Sequence, residues 1–396
     1  MRIRYATEKG GRPVKKAVVY TPDEHGIIST DVDVDAVHIV RRLKAGGYEA
    51  YIVGGAVRDL ILGKKPKDFD IVSDASPTRI KKLFRIARII GHRFRLVHVY
   101  CGSKIFEVST FRSLKDGPTS NTYGTIEEDV LRRDFSLNAL FYDPLTHLVV
   151  DYVGGMKDIR EKRIRPLISL ATIFKDDPVR MIRAVKYAAT TGFRLPLSLK
   201  WQIRRDSHLL AEVSPSRLTE EIFKIIHGSS AALIVENLES FGLYAYLQPN
   251  ASQLMKEKDD FRARYGKRLA ALNQEGQPVI PGAALAALIE DYIEDNTDWE
   301  AEEIAEQYKD IFMMARQFVL PMNPPRVELD QGVRLVFKVH GITIKKSRFP
   351  DRDRPSFSRG THAGTPELPE EDPPRRHRRH RRKEPGGGQE NFQVQD

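Results

Sequence analysis

The sequence predicts an α+β fold, in which strands and helices mix up to about Asp129 and helices dominate from there on. Three observations carry this expectation. A strand, glycine turn and helix follow one another over residues 50–62, and further short β-patterned runs continue to Thr110. Long amphipathic periodicities begin near Asp129, interrupted only by a strand-like pair at residues 141–143 and 148–152. A chain of 396 residues with 41% apolar content is long enough for two or three modest domains.

Residues 1–30 are polar, Gly- and Lys-rich and unpatterned, so a flexible N-terminus is expected, with order starting near Asp31. Over residues 34–43, Val34, Val37, Ile39, Val40 and Leu43 recur at helical spacing and predict an amphipathic helix. The run 50–53 reads as a strand broken by Gly54 and Gly55, and residues 57–62 resume a helical pattern until Gly63. Residues 69–72 read as a second strand. Ser76 and Pro77 then supply an N-cap and first-turn proline to a helix bearing Ile80, Leu83 and Phe84. Two more strands are predicted at 96–100 and 105–110. Beyond about Lys345 the chain turns to Pro, Gly, Ser and alternating charge, a composition that predicts disorder.

Charge and cysteine content narrow the function classes. The net charge of +10 favours a polyanionic partner, although seven of the ten excess charges lie in the run RRHRRHRRK: Arg375, Arg376, Arg378, Arg379, Arg381, Arg382 and Lys383. That run suits sequence-independent phosphate contact. Cys101 stands alone, which rules out an intramolecular disulfide or a cysteine-paired zinc site and fits a reducing cytoplasm. The N-terminus lacks the apolar core of a secretory signal, and no run of about 18 apolar residues exists to cross a bilayer, so no membrane association is expected.

Four motifs carry the chemistry. Asp68-Phe69-Asp70 would place two carboxylates on one face of a strand, a crowding that a hard cation such as Mg²⁺ relieves. Upstream, Gly54 and Gly55 let backbone N–H groups approach phosphate, and Arg58 can pair with a charged oxygen. In RRDFSLNAL, Asp134 and Asn138 are four apart and are expected on one helix face. Asp134 could join the metal carboxylates, Arg133 hold phosphate and Asn138 touch a ribose. In DDPVRMIRAVKYA, Asp177, Arg180 and Arg183 recur every three residues and could read a base edge without a template.

In that order, these motifs resemble the class II nucleotidyltransferases, the family of bacterial poly(A) polymerases and CCA-adding tRNA nucleotidyltransferases. The resemblance runs from roughly Thr21 to about Gly341. It implies a nucleotidyltransferase palm with a mixed β-sheet over residues 31–165, a helical neck over 166–240 that binds nucleotide and RNA, and a helical RNA-binding body over 241–344. Residues 345–396 would form an Arg-rich tail of the kind seen on poly(A) polymerases. The resemblance further implies Mg²⁺ held by Asp68 and Asp70, with either Asp134 or Glu107 as third carboxylate. ATP would be bound by Gly54, Gly55, Arg58, Arg133, Asn138, Asp177, Arg180 and Arg183.

YTPDEHGI, KKPKDFDI, GHRFRLVHV, DYVGGMKD and SPSRLTEEIFKI look closer to the poly(A) polymerase branch. The expected activity is thus AMP transfer from ATP to RNA 3′ ends, with proteins of RNA decay as the suggested partner class. CCA addition to tRNA is the alternative, and a non-catalytic RNA-binding role the third reading, against which stand the intact carboxylates. Two departures from the family pattern are Lys186, which stands where an arginine is frequent, and a short loop over 113–123.

Overall fold

The computed structural model describes residues 2–7, 13–91, 96–113, 122–228, 230–272 and 281–344. Among the described residues nine strands form one sheet: β1 (Arg2–Thr7), β2 (Pro13–Tyr20), β3 (Ala50–Val53), β4 (Asp70–Ser73), β5 (Ala87–Ile90), β6 (Leu96–Cys101), β7 (Lys104–Thr110), β8 (Leu140–Asp143) and β9 (Leu148–Asp151). Their order is β1-β2-β9-β8-β3-β4-β7-β6-β5. β4 and β7 run parallel and the other neighbours antiparallel, so the sheet is mixed, as expected.

Helices α1 (Pro22–His25), α2 (Val34–Ala45), α3 (Gly55–Ile61), α4 (Pro77–Leu83), α5 (Ile126–Leu131) and α6 (Gly155–Arg160) accompany the sheet. One face packs Ile39, Val40 and Leu43 of α2, Val57 and Leu60 of α3 and Ile80 of α4 against Ile52, Ile71, Val97 and Val108. The other carries a smaller core, in which Ile126 and Val130 of α5 cover Tyr51, Val53, Val72 and Phe141. β3 is buried on both sides, which its unbroken apolar run AYIV requires. β6 instead alternates, with Val97 and Val99 buried and His98 and Tyr100 half-exposed.

The rest is helical: α7 (Ile173–Asp176), α8 (Val179–Thr191), α9 (Leu197–Asp206), α10 (Pro215–Ile226), α11 (Ala231–Ser240), α12 (Tyr244–Leu247), α13 (Pro249–Glu257), α14 (Asp259–Ala271), α15 (Pro281–Asp295), α16 (Tyr308–Phe318) and α17 (Arg326–Val339). Val179, Ile182 and Val185 turn inward on α8, as their spacing predicts. The larger hydrophobic cluster runs on from the sheet into these helices. Among the described residues no helix is long and apolar enough to cross a membrane.

Three expectations need correction. The first 30 residues are not wholly irregular: β1 and β2 extend the sheet, with Ala17 and Val19 buried, and the capping box Thr21/Glu24 starts α1. Residues 132–140 are not an α-helix. α5 stops at Leu131 because the following backbone is committed elsewhere: Phe135 bridges Pro166, the Leu167 amide donates to the Asp134 carbonyl, and only a 3-10 turn, Ser136–Asn138, precedes β8. Val34, placed on the apolar stripe of α2, is 65% exposed, and Ala36 is buried there. β5 carries no alternation strong enough to reveal it and forms by pairing with β6.

Candidate active site

Asp70 opens β4 on the sheet face opposite α2 and α4, while Asp68 lies in the irregular chain just before it. The pair therefore stands at a strand entrance instead of within the strand. Beside it runs β7, in register Ile71↔Val108, which brings Glu107 next to Asp70. Asp70 keeps contact with solvent, yet its concave setting strips much of the water from around it. That loss of water, with the charges of Glu107 and Asp68, pushes its carboxyl up to about 6, against the pull of Arg133 and Lys224. Among the described residues no three His, Cys, Asp or Glu side chains already form a metal cage.

Gly54 faces these carboxylates across a tight turn. Its φ of 71° is one that glycine adopts without strain, and a Cβ there would meet Asp70 Oδ2 at 3.4 Å. The turn leads directly into α3, from which Arg58 reaches back. Its guanidinium donates to Asp59 Oδ1 and Asn138 Oδ1, at 2.8 and 2.9 Å, and lies 5.2 Å from the Tyr187 ring centroid.

Asn138 is a junction. Its side-chain carbonyl accepts from Arg58, its amide donates to Asp134 Oδ1 at 3.5 Å, and its backbone carbonyl accepts from Arg133 Nη1 at 3.0 Å. Arg133 is further held by Asp129 at 3.0 Å and lies over Phe141. The 3-10 turn thus brings Asp134 and Asn138 together although the expected helix is missing. Asp134 instead turns one oxygen to the helices: its Oδ2 lies 3.9 Å from Arg183 Nη1 on α8.

Glu221 on α10 joins these residues to the helices. Only 1% exposed, it meets Arg183 at 3.3 Å, Lys186 at 3.1 Å and Lys224 at 3.2 Å. Burial alone would raise its carboxyl, but Lys186, Arg183 and Lys224 outweigh burial and bring it down to about 2. Burial likewise opposes charge on Arg183, and Glu221, Tyr187 and Asp134 hold its proton above the usual arginine range. Asp177 precedes α8, and its carboxylate accepts two hydrogen bonds from Arg217 at 3.0 Å and one from the Val179 amide at 3.3 Å. Arg180 is 7% exposed and donates to the Ile173 carbonyl at 3.2 Å, so it points into the α7–α8 packing. The three residues spaced in sequence therefore have three different surroundings.

Glu221, Lys224, Arg217 and Tyr187 went unmarked in the sequence. Lys186, already singled out, was the available signal, since a lysine on the working side of a buried helix requires a carboxylate partner. The basic residues Arg375 to Lys383, and most of the loop 113–123, lie outside the described residues.

Residues 50–165 match the poly A polymerase head domain, and residues 192–255 match the "Probable RNA and SrmB- binding site of polymerase A". Poly(A) polymerase I of Salmonella typhi is 40% identical over 254 residues, covering 60% of this chain and 55% of the relative. The CCA-adding enzyme of Geobacillus kaustophilus is 36% identical over 235 residues, covering 57% of this chain and 58% of the relative. The chain thus spans little more than half the length of either. The solved structure of the Bacillus stearothermophilus CCA-adding enzyme in complex with CTP superposes with a TM-score of 0.54 at 28% identity, over 77% of this chain and 82% of that one. Head-domain match, relatives and shared fold agree: over residues 50–165 the chain carries a poly A polymerase head domain, and it is similar to bacterial poly(A) polymerases and CCA-adding enzymes.

Proposed function

We propose that this protein adds AMP from ATP to RNA 3′ ends without a template, releasing pyrophosphate. The observation that carries the reading is the grouping of Asp70 with Asp68, Glu107 and the Gly54 turn, which leads into the helix bearing Arg58. Mg²⁺ suits this donor set, because it is commonly bound by one or two carboxylates together with substrate phosphates, and the crowding that raises Asp70 is what a cation relieves. Held by Asp68 and Asp70, with Glu107 as third carboxylate, the ion would neutralise charge at the reacting α-phosphate and favour ionisation of the RNA 3′-OH.

The chain's own residues place the reactants. The turn at Gly54 and Gly55 gives the triphosphate close access to the backbone, and Arg58 and Arg133 pair with its oxygens. Asn138 fixes the direction of both arginines and of Asp134. Asp177 and Arg183 present polar edges to the base, with Arg180 bracing α7 against α8 beneath them. So oriented, the 3′-oxygen attacks the α-phosphorus in line as the bond to pyrophosphate breaks.

Adenylate addition is favoured over CCA addition by the longer and higher match to poly(A) polymerase I. The CCA reading draws on the superposition with the CTP-bound CCA-adding enzyme. Purified protein given Mg²⁺, a generic 3′-OH RNA or a tRNA lacking its CCA end, and ATP or CTP singly, decides between them. Long products from ATP on generic RNA are expected; CTP incorporation confined to tRNA would overturn the assignment. The run Arg375 to Lys383 would add non-specific RNA affinity, and recruitment by proteins of RNA decay fits the same reading.

A further inference from the structure

Strand register draws one row of side chains outward from the candidate catalytic carboxylates. Glu107 of β7 neighbours Asp70, His98 of β6 pairs with Glu107, and Arg88 of β5 pairs with His98. Residues paired across a sheet project to the same side, so Asp70, Glu107, His98 and Arg88 share one face. Three strand spacings separate the ends of the row, a span of about 14 Å. The helix that packs on these outer strands, α4, lies on the other side with Val97, Val99, Phe106 and Val108.

The face carries the chemistry of a nucleic-acid platform. His98 approaches Glu107 Oε1 at 3.5 Å, and its ring meets that of Tyr100 edge-on, with centroids 6.4 Å apart. Ile105, cross-strand from Tyr100, is 54% exposed and adds an apolar side chain to the same face. Arg88 is exposed and forms no ion pair among the described residues. β5 is the outermost strand, so a chain arriving from solvent meets Arg88 first and the carboxylates last.

We infer that this face binds the last few nucleotides of the RNA primer, with Tyr100 and His98 stacking on bases and Arg88 contacting a phosphate, so that the 3′-OH is delivered to Asp70. The inference rests on the proposed RNA-extending activity and adds to it the path of the acceptor strand. Continuity with the carboxylates selects the occupant, because the only part of a long RNA that must reach them is its 3′ end. Stacking through a π-face tolerates any base. An enzyme acting on generic 3′ ends needs that tolerance, which base-edge hydrogen bonding would deny it.

Two measurements on the full-length protein test this. In steady-state extension of an RNA oligonucleotide, Tyr100→Ala and Arg88→Ala are expected to raise the KM for RNA, roughly tenfold for the loss of a stacking ring. The KM for ATP should move less, and Tyr100→Phe, which keeps the ring, should restore the RNA value. In parallel, an oligonucleotide carrying 4-thiouridine near its 3′ end is photocrosslinked to the wild-type protein, and the modified peptide is expected to contain Tyr100. Extension with RNA KM unchanged in both alanine variants, an ATP KM that rises instead, or crosslinks confined to other peptides would each overturn the platform. Wild-type protein that crosslinks through Tyr100 yet never extends RNA would overturn the proposed activity and leave the platform standing.

Discussion

Asp70 shows how a single residue can record the partner it awaits. Its carboxyl, raised to about 6, holds a proton over the interval between the ordinary value of 3.8 and 6 that the unfolded chain has already released. The folded state therefore binds more protons there, and stability contributed by this group falls as pH rises through that window. In EDTA, Asp70→Asn should be more stable than wild type above pH 6, by no more than about 1 kcal/mol because the carboxylate still touches solvent. Thermal unfolding checks this, and adding Mg²⁺ at pH 7.5 should raise the wild-type Tm and leave the variant unmoved. Glu107 and Asp134 are separable in the same spirit. Glu107 adjoins Asp70, whereas Asp134 holds Asn138 and Arg183. Glu107→Gln should therefore lower kcat about 10- to 100-fold. Asp134→Asn should chiefly raise the KM for ATP, and the opposite pattern would make Asp134 the third carboxylate.

Elements, in turn, hold these residues at their distances. α10 supplies Glu221, which pairs with Arg183 and Lys186 of α8 in a setting almost closed to water. Removing one member of such a group strands the others, so Glu221→Ala should cost about 3 kcal/mol in urea unfolding and raise the KM for ATP. Because its carboxyl is held at about 2, the stability it contributes is complete above the ordinary value of 4.5 and is lost as pH falls toward 2. α6 acts by proximity. A Cβ at Gly155 would collide with the Ser136 carbonyl and lie 3.1 Å from Leu140, so Gly155→Ala should push the 3-10 turn away. The expected loss is about 1–3 kcal/mol, with a fall in kcat/KM as Asn138 leaves Arg58, measurable in the same assays.

At the scale of the whole molecule, the segment leading to Asp68 is tied to the helices beyond the sheet: Lys64 donates to the Thr190 carbonyl and Lys67 to the His227 carbonyl, at 2.8 and 2.9 Å. The basic run works at longer range. Deleting residues 375–383 should flatten the salt dependence of RNA affinity by up to about 0.7 per cation lost, read as log Kd against log salt, and an unchanged slope would remove the run from RNA binding. The sequence by itself determined the elements whose signals are local: the strand at Ala50–Val53 with its glycine turn, the Ser76/Pro77 start of α4, the α8 periodicity and the order of the four motifs. It also brought out Asp68, Asp70, Arg58 and Asp134, because charge crowded beside glycine or apolar residues is visible without coordinates. Tertiary structure decided the rest. β5 exists through pairing with β6, and the Arg133–Leu140 stretch forgoes a helix because Phe135, Ser136 and Leu167 find hydrogen-bond partners across the fold. Glu221 meets Lys186 across 35 residues of chain, and the row Asp70, Glu107, His98 and Arg88 arises from the register of four strands. Periodicity reports which way a side chain faces within its own element, whereas register and packing fix what it faces.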